Sequence, residues 1–263
     1  MRRRGAWLLL GLVSACATPR ELKTEDVRVE RIVLAPTFEL ARLSDTLWIH
    51  TTYKELTGVG SVPSNGLMLA TAEGVVLIDT PWTPAATRTL LEWISSRLGK
   101  PVTDVIVTHS HDDRTGGVAE LAPTTRVHAL PLTSKLAAAQ GVSFSAEALA
   151  EPETKLTPGG APITVFAPGA GHAPDNVVVW LPEHRVLFGG CFIKSAGAED
   201  LGNVADANLA SWRVSLKTLQ AWLSPLETPA RPVIVVPGHG GLGSTALIGH
   251  TQELVSKALS QQR

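Results

Sequence analysis

Val105-Ile-Val-Thr-His109-Ser-His111-Asp-Asp113-Arg114 is an apolar run that ends in a dense group of polar side chains. The apolar run predicts a buried strand. If the backbone stays extended beyond that strand, His109, His111 and Asp113 lie on one side of it and converge. Imidazole and carboxylate groups are zinc ligands, so the segment predicts a metal site at the end of a strand. The alternative is an exposed polar turn whose histidines bind nothing.

Three further candidate ligands follow apolar strands or lie in tight glycine turns: Gly169-Ala-Gly-His172, Gly189-Gly-Cys191 and Pro237-Gly-His239. Glycine lets the backbone approach a metal closely. Alone, either histidine would be interpreted as a turn residue, and Cys191 as a small core residue. Together with the first segment they supply four imidazoles, one thiolate and one carboxylate. That donor set suffices for two zinc ions with coordination positions left open.

The rest of the pattern alternates strands with helices. We predict strands over residues 38–43, 47–53, 66–70, 75–79, 102–108, 126–130, 163–167, 176–181, 185–189 and 233–236. We predict helices over 84–98, with Thr83 as the cap and Pro84 in the first position, over 133–140 and 208–224, and from 245 onward. This order predicts an α+β fold in which two sheets pack face to face with helices outside.

The composition describes a folded protein of ordinary size. Of the 263 residues, 44% are apolar and 18% are charged, with 23 Lys and Arg against 24 Asp and Glu. The apolar fraction is too high for a disordered chain and fits one globular unit or two small ones. No run of like charge could follow a nucleic-acid backbone, so we expect no nucleic-acid partner.

The N-terminus has the pattern of a secretory signal, in which Arg2-Arg-Arg4 precedes a short apolar run from Ala6 to Val13. This run is far shorter than the roughly 20 residues that span a bilayer. Leu12-Val-Ser-Ala-Cys16 resembles a bacterial lipobox, which implies cleavage before Cys16 and lipidation of its thiol. The alternative is an ordinary signal that is cut nearby and leaves Cys16 unmodified.

We therefore predict a lipoprotein signal peptide over residues 1–15, a lipidated Cys16 with a tether over 16–36, and a folded domain over 37–263. The lipid would anchor the protein to a membrane in the periplasm of a Gram-negative bacterium. Ala17 stands where an Asp would imply retention at the inner membrane, so we expect the outer membrane. Cys191 then remains a lone thiol, which burial or a bound metal would protect from oxidation.

From about residue 47 onward the chain resembles the class B metallo-β-lactamases of subclass one. The resemblance rests on the six candidate ligands and on two segments, Gly189-Gly-Cys191-Phe-Ile-Lys194 and Leu201-Gly-Asn203-Val-Ala-Asp206. It implies an αβ/βα sandwich, a monomer, and two Zn²⁺ per chain at the sheet edge between the halves. It assigns His109, His111 and His172 to the first zinc, and Asp113, Cys191 and His239 to the second.

The same resemblance implies a hydrolase that opens the β-lactam amide bond of penicillins, cephalosporins and carbapenems, and so confers antibiotic resistance. Zinc lowers the pKa of a bound water to about 7, and the resulting hydroxide would attack the lactam carbonyl without a covalent acyl-enzyme. Asp113 would take part in catalysis at the second zinc, which would stabilise the departing nitrogen.

Three residues are expected to contact the substrate. By resemblance, Lys194 would pair with the substrate carboxylate, and Asn203 would assist at the carbonyl or carboxylate. Val59 lies between two glycines in the segment 53–65, which resembles the mobile hairpin that covers substrate in this family. The alternatives are that Lys194 is a solvated surface charge and that the segment is an ordinary long β-hairpin.

Other residues are expected to support the site or to lie away from it. Asp79 is a candidate hydrogen-bond acceptor behind the ligands, and Arg114 a candidate donor near Asp113. The family commonly has Thr or Ser after the third histidine, but Ala173 stands here, so we expect a lost hydrogen bond and weaker zinc binding. The remaining histidines are expected to be structural or on the surface: His50, His128, His184 and His250.

Two other interpretations use the same ligands. Thiolesterases, lactonases and RNA-processing nucleases of this fold usually read His-x-His-x-Asp-His with a later bridging Asp. Arg114 and Cys191 occupy those positions here, which favours the lactamase subclass. A zinc-buffering periplasmic lipoprotein is the non-enzymatic alternative, but it would have no use for Lys194, Asn203 or a covering loop.

Overall fold

The computed structural model describes residues 30–228 and 230–262. The predicted signal peptide, the predicted lipidation site at Cys16 and most of the predicted tether lie outside these residues. Within the described ranges, every helix is too short or too polar to cross a bilayer.

The first sheet has eight strands that neighbour one another in chain order. Strands β1 to β5 are antiparallel, and β5 to β8 run parallel. The strands are β1 (Glu30–Ala35), β2 (Phe38–Arg42), β3 (Leu47–Leu56), β4 (Gly60–Ala70), β5 (Val75–Ile78), β6 (Val102–Ile106), β7 (Arg126–Ala129) and β8 (Glu147–Ala148).

The second sheet has five strands in the order β13-β12-β11-β10-β9, and only β12 and β13 within it are parallel. Its strands are β9 (Glu153–Leu156), β10 (Ile163–Phe166), β11 (Val178–Leu181), β12 (Val186–Gly190) and β13 (Ile234–Pro237). The helices are α1 (Pro84–Leu98), α2 (Asp112–Thr115), α3 (Pro131–Ala139), α4 (Leu209–Leu223) and α5 (Ala246–Gln261). Single 3₁₀ turns lie at Val118–Glu120, Pro158–Gly160 and Ser224–Leu226.

Helix α1 follows the local rules that predicted it. The Thr83 side chain accepts a hydrogen bond from the Ala86 amide at 3.2 Å, and Pro84 takes the first helical position. The helix ends where Gly99 adopts a left-handed φ of 61°. Helix α4 likewise begins at the predicted Asn208, whose side chain accepts from the Ser211 amide at 2.9 Å.

Three apolar layers hold the two sheets and the helices together. The layer between the sheets contains the inward side chains of both, such as Val76, Ile78, Val179 and Phe188. The outward side chains of the first sheet pack against α1, and those of the second against α4 and α5. Strands β5 and β12 have an apolar layer on each face. Their sequences therefore lack polar residues and do not alternate between apolar and polar. The predicted sandwich with outer helices is confirmed.

The structure corrects the predicted start of the domain. Strand β1 lies inside the segment that we predicted to be a tether ending at residue 36. It pairs with β2, and Ile32 and Leu34 pack against the core while Val33 points outward and is 72% exposed. The apolar run Ile32–Ala35 is only four residues long and directly follows charged residues, which made the segment resemble a linker. Strand β4 also begins six residues earlier than predicted, and β8 and β9 were not predicted.

Two Gly→Ala changes should have opposite effects on stability. In Gly66→Ala, the new Cβ would lie 2.3 Å from the buried His50 ring and 2.6 Å from the Ile78 carbonyl oxygen, so we expect a loss of about 1–3 kcal/mol. In Gly249→Ala, inside α5, the Cβ meets no atom within 4 Å, so we expect a gain of about 0.5–1 kcal/mol. Urea unfolding of the zinc-loaded proteins measures both, and similar midpoints for the two variants would contradict this packing.

Candidate metal centre

The six candidate ligands come together at one edge of the sandwich. His109 and His111 follow β6, His172 follows β10, Cys191 follows β12 and His239 follows β13. Strands β12 and β13 are parallel, so their carboxyl ends meet at the same edge. The apolar strands thus bring together side chains that lie up to 130 residues apart in the chain.

Three imidazoles form the first cluster. His111 Nδ1 lies 3.2 Å from His109 Nε2 and 3.1 Å from His172 Nε2. All three ligand atoms lie within 4.8 Å of one another. Tetrahedral zinc with bonds of about 2.0–2.3 Å separates neighbouring ligand atoms by roughly 3.3–3.7 Å. The cluster therefore has nearly the dimensions that a zinc ion requires.

A carboxylate, a thiol and an imidazole form the second cluster. Asp113 Oδ2 lies 3.4 Å from Cys191 Sγ and 3.3 Å from His239 Nε2, and the Sγ and Nε2 atoms are 3.1 Å apart. Within the described residues Cys191 is a free cysteine, and it is buried. These separations also match the spacing of ligands around one zinc ion.

The local backbone at Asp113 differs from the predicted extended segment. His111 is extended, with φ −68° and ψ 157°, and it caps helix α2, in which Asp113 lies. Asp112 and Asp113 occupy the first turn of this helix, where carboxylates are favoured by the helix dipole. The ligand was predicted correctly, but a helical turn, rather than strand alternation, directs it to the second cluster.

The electrostatics of the two clusters differ. Burial, together with the neighbouring imidazoles, lowers the pKa of His109 well below 6.5. Burial and Lys194 lower the pKa of His172 to about 2. Both rings are therefore neutral at physiological pH and keep a lone pair for a metal. In the second cluster burial opposes the charge on His239, but Cys191 and Asp113 outweigh it and raise its pKa to about 10. The positive charge that Cys191 and Asp113 favour on His239 indicates that this cluster attracts a cation.

The chain has clear relatives among known proteins. The model of the metallo-β-lactamase superfamily matches residues 59–239. This chain belongs to the metallo-β-lactamase superfamily. A protein named metallo-β-lactamase type 2 from Bacillus sp. (strain 170) is 38% identical over 251 residues, which cover 94% of each chain. One of the same name from Bacteroides fragilis is 33% identical over 227 residues, covering 86% of this chain and 88% of the relative.

Solved structures agree with this membership. A metallo-β-lactamase from Pontibacter korlensis is 40% identical, has a TM-score of 0.76, and covers 83% of this chain and 99% of its own. FIM-1 from Pseudomonas aeruginosa, solved in its mono-zinc form, is 32% identical with a TM-score of 0.76 and covers 86% of this chain and 98% of its own. The predicted family and fold are confirmed.

The buried side chain of Arg114 supports the second cluster of candidate ligands. One terminal nitrogen of Arg114 donates to Asp113 Oδ2 at 2.7 Å, to Cys191 Sγ at 3.0 Å and to the Gly238 carbonyl at 3.1 Å. The other terminal nitrogen donates to the Asn65 carbonyl and lies 3.4 Å from Asp79 Oδ2. Arg114 is therefore the donor that we expected near Asp113, and it contacts a second ligand as well.

Asp79 anchors the strand that carries the histidines. Its two carboxylate oxygens accept hydrogen bonds from the Thr108 amide and hydroxyl, both at 2.8 Å. Burial raises the pKa of Asp79 to about 7, although Arg114 and Thr108 oppose this shift. Asp79 is the hydrogen-bond acceptor that we expected behind the ligands. It binds Thr108, the residue that precedes His109 in the chain.

Two hydrogen bonds that hold candidate ligands in place were not predicted from the sequence. His111 Nε2 donates to Asp206 Oδ2 at 3.0 Å, and His239 Nδ1 donates to the Pro63 carbonyl at 2.6 Å. Each bond holds the ring nitrogen that does not face the cluster and so fixes which nitrogen can bind metal. Asp206 stood in the motif that carried the resemblance, but without an assigned role. A carbonyl such as that of Pro63 has no sequence signature.

His172 lacks the kind of supporting hydrogen bond that His111 and His239 have among the described residues. Ala173 is buried and donates its amide to Asn176 Oδ1 at 2.8 Å. Among the described residues, His172 Nδ1 has no hydrogen-bond partner. The expected loss of a hydrogen bond next to the third histidine agrees with this geometry, and weaker zinc binding remains a prediction.

Two of the residues predicted to contact the substrate differ in exposure, since Lys194 is buried and Asn203 is exposed. Lys194 is 8% exposed, and its Nζ lies 5.6 Å from the centre of the Trp212 ring. Burial lowers its pKa, although Cys191 and Asp113 oppose the shift. Asn203 is exposed and accepts from the Ala205 amide at 3.1 Å, which shapes the turn before Asp206. The structure records no contact between Asn203 and a ligand among the described residues.

Val59 is exposed at the tip of its hairpin, whereas two of the histidines outside the ligand set are buried. Val59 lies at the turn between β3 and β4 and is 73% exposed. His50 and His128 are both buried. His50 contacts the Asp79 carbonyl at 3.3 Å, and His128 contacts the Asp104 carboxylate at 2.8 Å. Their predicted structural role agrees with these contacts.

Removing the Asp206 carboxylate should weaken zinc binding. In Asp206→Asn the acceptor for His111 Nε2 becomes weaker, so we expect zinc affinity to fall by about 10- to 100-fold. Competition with a fluorescent chelator measures the affinity. Asp45→Asn, at a 97% exposed carboxylate in a distant turn, is the control. Equal affinities in the two variants would contradict the role of Asp206.

Proposed function

We propose that this chain hydrolyses β-lactam antibiotics, including penicillins, cephalosporins and carbapenems, with two zinc ions per chain. The observation that carries the proposal is the pair of adjacent clusters, one formed by the imidazoles of His109, His111 and His172 and one formed by Asp113, Cys191 and His239. Relatives named metallo-β-lactamase type 2 cover 94% of the chain, which supports the same reaction and a role in antibiotic resistance.

The residues present fit the metal in number, type and spacing. His109, His111 and His172 would hold the first zinc, and Asp113, Cys191 and His239 the second. When bound, zinc supplies a water of lowered pKa and a Lewis acid for developing negative charge. The chain itself keeps the imidazoles of His109 and His172 neutral by burial. It keeps Asp113 ionised, because Arg114 and His239 hold the pKa of that carboxyl well below 3.8 in spite of burial.

Other residues of the chain would bind and orient the substrate. Lys194 would pair with the carboxylate that β-lactams share, because its buried ammonium group lies over the Trp212 ring and would gain from an anion. Asn203 would direct its amide towards the carbonyl or the carboxylate. Val59 would cover the substrate with apolar surface and reduce the access of bulk water. Hydrolysis would proceed without a covalent acyl-enzyme.

The count of two zinc ions is part of the proposal. Each cluster offers three ligand atoms at 3.1–3.4 Å from a neighbour, which supports one ion in each. FIM-1 was solved with one zinc, so a relative of this kind can be obtained in that form. Zinc content and activity must therefore be measured together.

We also propose an address for the mature protein, on the basis of the sequence alone. A signal peptide over residues 1–15 would direct export, and lipidation of Cys16 would anchor the chain to the outer membrane on its periplasmic side. The folded part would act as a monomer. Metabolic labelling with a fatty acid, compared between the natural chain and Cys16→Ala, tests the anchor.

Chelation should abolish activity reversibly. We expect the purified protein to hydrolyse a carbapenem and a penicillin, to lose turnover with a chelator and to regain it with zinc, because the ligand clusters cannot supply the water without the metal. Loss of the lactam absorbance in the ultraviolet measures turnover, and zinc analysis measures occupancy. Stoichiometric zinc without turnover of any β-lactam would contradict the proposal and favour a thioester or lactone substrate, or zinc storage.

Replacing Lys194 should affect substrate binding more than the chemical step. In Lys194→Ala we expect KM to rise by roughly 10- to 100-fold, the range of a charge-assisted hydrogen bond, with a smaller fall in kcat. Lys217→Ala, on an exposed position of α4, is the control, and zinc content is measured in both. An unchanged KM in Lys194→Ala would show that the ammonium group does not bind substrate.

A further inference from the structure

The hairpin around Val59 leaves the first sheet and continues as a two-stranded ribbon. Strand β2 pairs with β3 only as far as Thr52, and β5 pairs with β4 only from Leu67. Residues 54–56 pair with residues 60–62 and, among the described strands, with no others. An isolated two-stranded ribbon is marginally stable in water. Its position therefore depends on its contacts with the rest of the molecule.

Lys54 supplies two such contacts at the base of the ribbon. Its Nζ lies 2.8 Å from Asp112 Oδ2 and 5.1 Å from the centre of the Trp82 ring. Asp112 lies between the ligands His111 and Asp113, at the start of α2. One ammonium group thus joins the ribbon to the segment that carries three of the six ligands.

The alternation of side chains along β3 explains why Lys54, and not Tyr53, contacts α2. Tyr53 and Lys54 are consecutive in β3, so their side chains point to opposite faces. The Tyr53 hydroxyl donates to Glu39 on β2, whereas Lys54 faces α2. Lys54 is 37% and Asp112 61% exposed, so the ion pair can open and close with the ribbon.

The opposite strand of the ribbon is joined to the second cluster. The Pro63 carbonyl accepts the hydrogen bond from His239 Nδ1, and the Trp82 ring lies 6.2 Å from the His239 ring. Lys54 and Pro63 therefore attach the two strands of the ribbon to the two sides of the ligand cluster. At Pro63 the ribbon contributes a backbone carbonyl, so of these two contacts only the one made by Lys54 can be removed by replacing a side chain of the ribbon.

We propose that Lys54 is a positioning residue that holds the hairpin over the metal centre through Asp112 and Trp82. The kinetic part of this inference rests on the proposed function, since the hairpin would cover the substrate. Loss of Lys54 would let the ribbon move outward, so that fewer molecules have the hairpin in place when substrate binds. The apparent affinity for substrate would fall, while the reacting groups would stay unchanged.

The test compares variants that remove the contacts one at a time. Lys54→Met keeps the length of the side chain and loses the charge, Asp112→Asn loses the ion pair alone, and Lys54→Arg keeps the positive charge. Lys155→Met removes an exposed lysine that lies 3.6 Å from Glu153 in the second sheet, and it is the matched control. Zinc content is measured in every variant because Asp112 adjoins two ligands.

Two readouts are used with zinc-loaded protein. In Lys54→Met we expect the amides of residues 55–61 to exchange hydrogen about three- to tenfold faster, and KM for a β-lactam to rise about three- to tenfold with kcat nearly constant. Asp112→Asn should give a smaller change in both, and Lys54→Arg should resemble the natural protein. A purely local stability effect would change exchange without this separation of KM from kcat.

The outcomes separate this inference from the proposed function. If the natural protein hydrolyses no β-lactam, the proposed function fails, and hydrogen exchange alone decides whether Lys54 holds the hairpin. Exchange in Lys54→Met that equals exchange in Lys155→Met would overturn the inference. Faster exchange with an unchanged KM in an active enzyme would also overturn it, because the hairpin position would then not matter for substrate.

Discussion

The buried guanidinium of Arg114 is the interaction on which the metal centre depends. The side chain is fully buried, and its two terminal nitrogens contact Asp79, Asp113, Cys191 and two backbone carbonyls. A buried charge is costly unless it is paired and hydrogen-bonded. Here it is paired with the carboxylate of Asp113, and it also contacts the Asp79 carboxyl group and the Cys191 sulfur. One cation therefore makes a cluster of buried acids compatible with a folded chain.

The same contacts connect the two halves of the sandwich. Arg114 lies in α2 in the first half, whereas Cys191 and Gly238 follow β12 and β13 in the second. Asn65 adds a second connection, since its side chain donates to the carbonyls of Pro237 and Gly240 at 3.0 and 2.8 Å. The ligands are thus held by bonds that cross between the sheets, so that the clusters keep their dimensions only when both halves are packed together.

Local rules predicted much of this structure and missed the parts that depend on distant partners. Apolar runs, helix caps such as that of Thr83 and the resemblance to the family predicted the sandwich, and residue type together with glycine turns predicted the six candidate ligands. Strand β1 was missed because its identity as a strand comes from pairing with β2. Asp113 was assigned an extended backbone because nothing local distinguishes its short helix. The bond from Pro63 to His239 joins residues 176 apart, so no pattern in the sequence could reveal it.

Arg114 and Cys191 are best understood as a coupled pair. Arginine has donors and no lone pair for a metal, so a cation at this position removes one possible ligand from the second cluster. Cys191 supplies a ligand instead, and its Sγ accepts a hydrogen bond from a guanidinium nitrogen of Arg114 at 3.0 Å. A histidine at position 114 would supply a ligand but would leave Asp79, Asp113 and Cys191 with less positive charge nearby. Replacing Cys191 alone would therefore remove a candidate ligand from the second cluster. Replacing Arg114 alone would remove the positive charge that contacts Asp113 and Cys191.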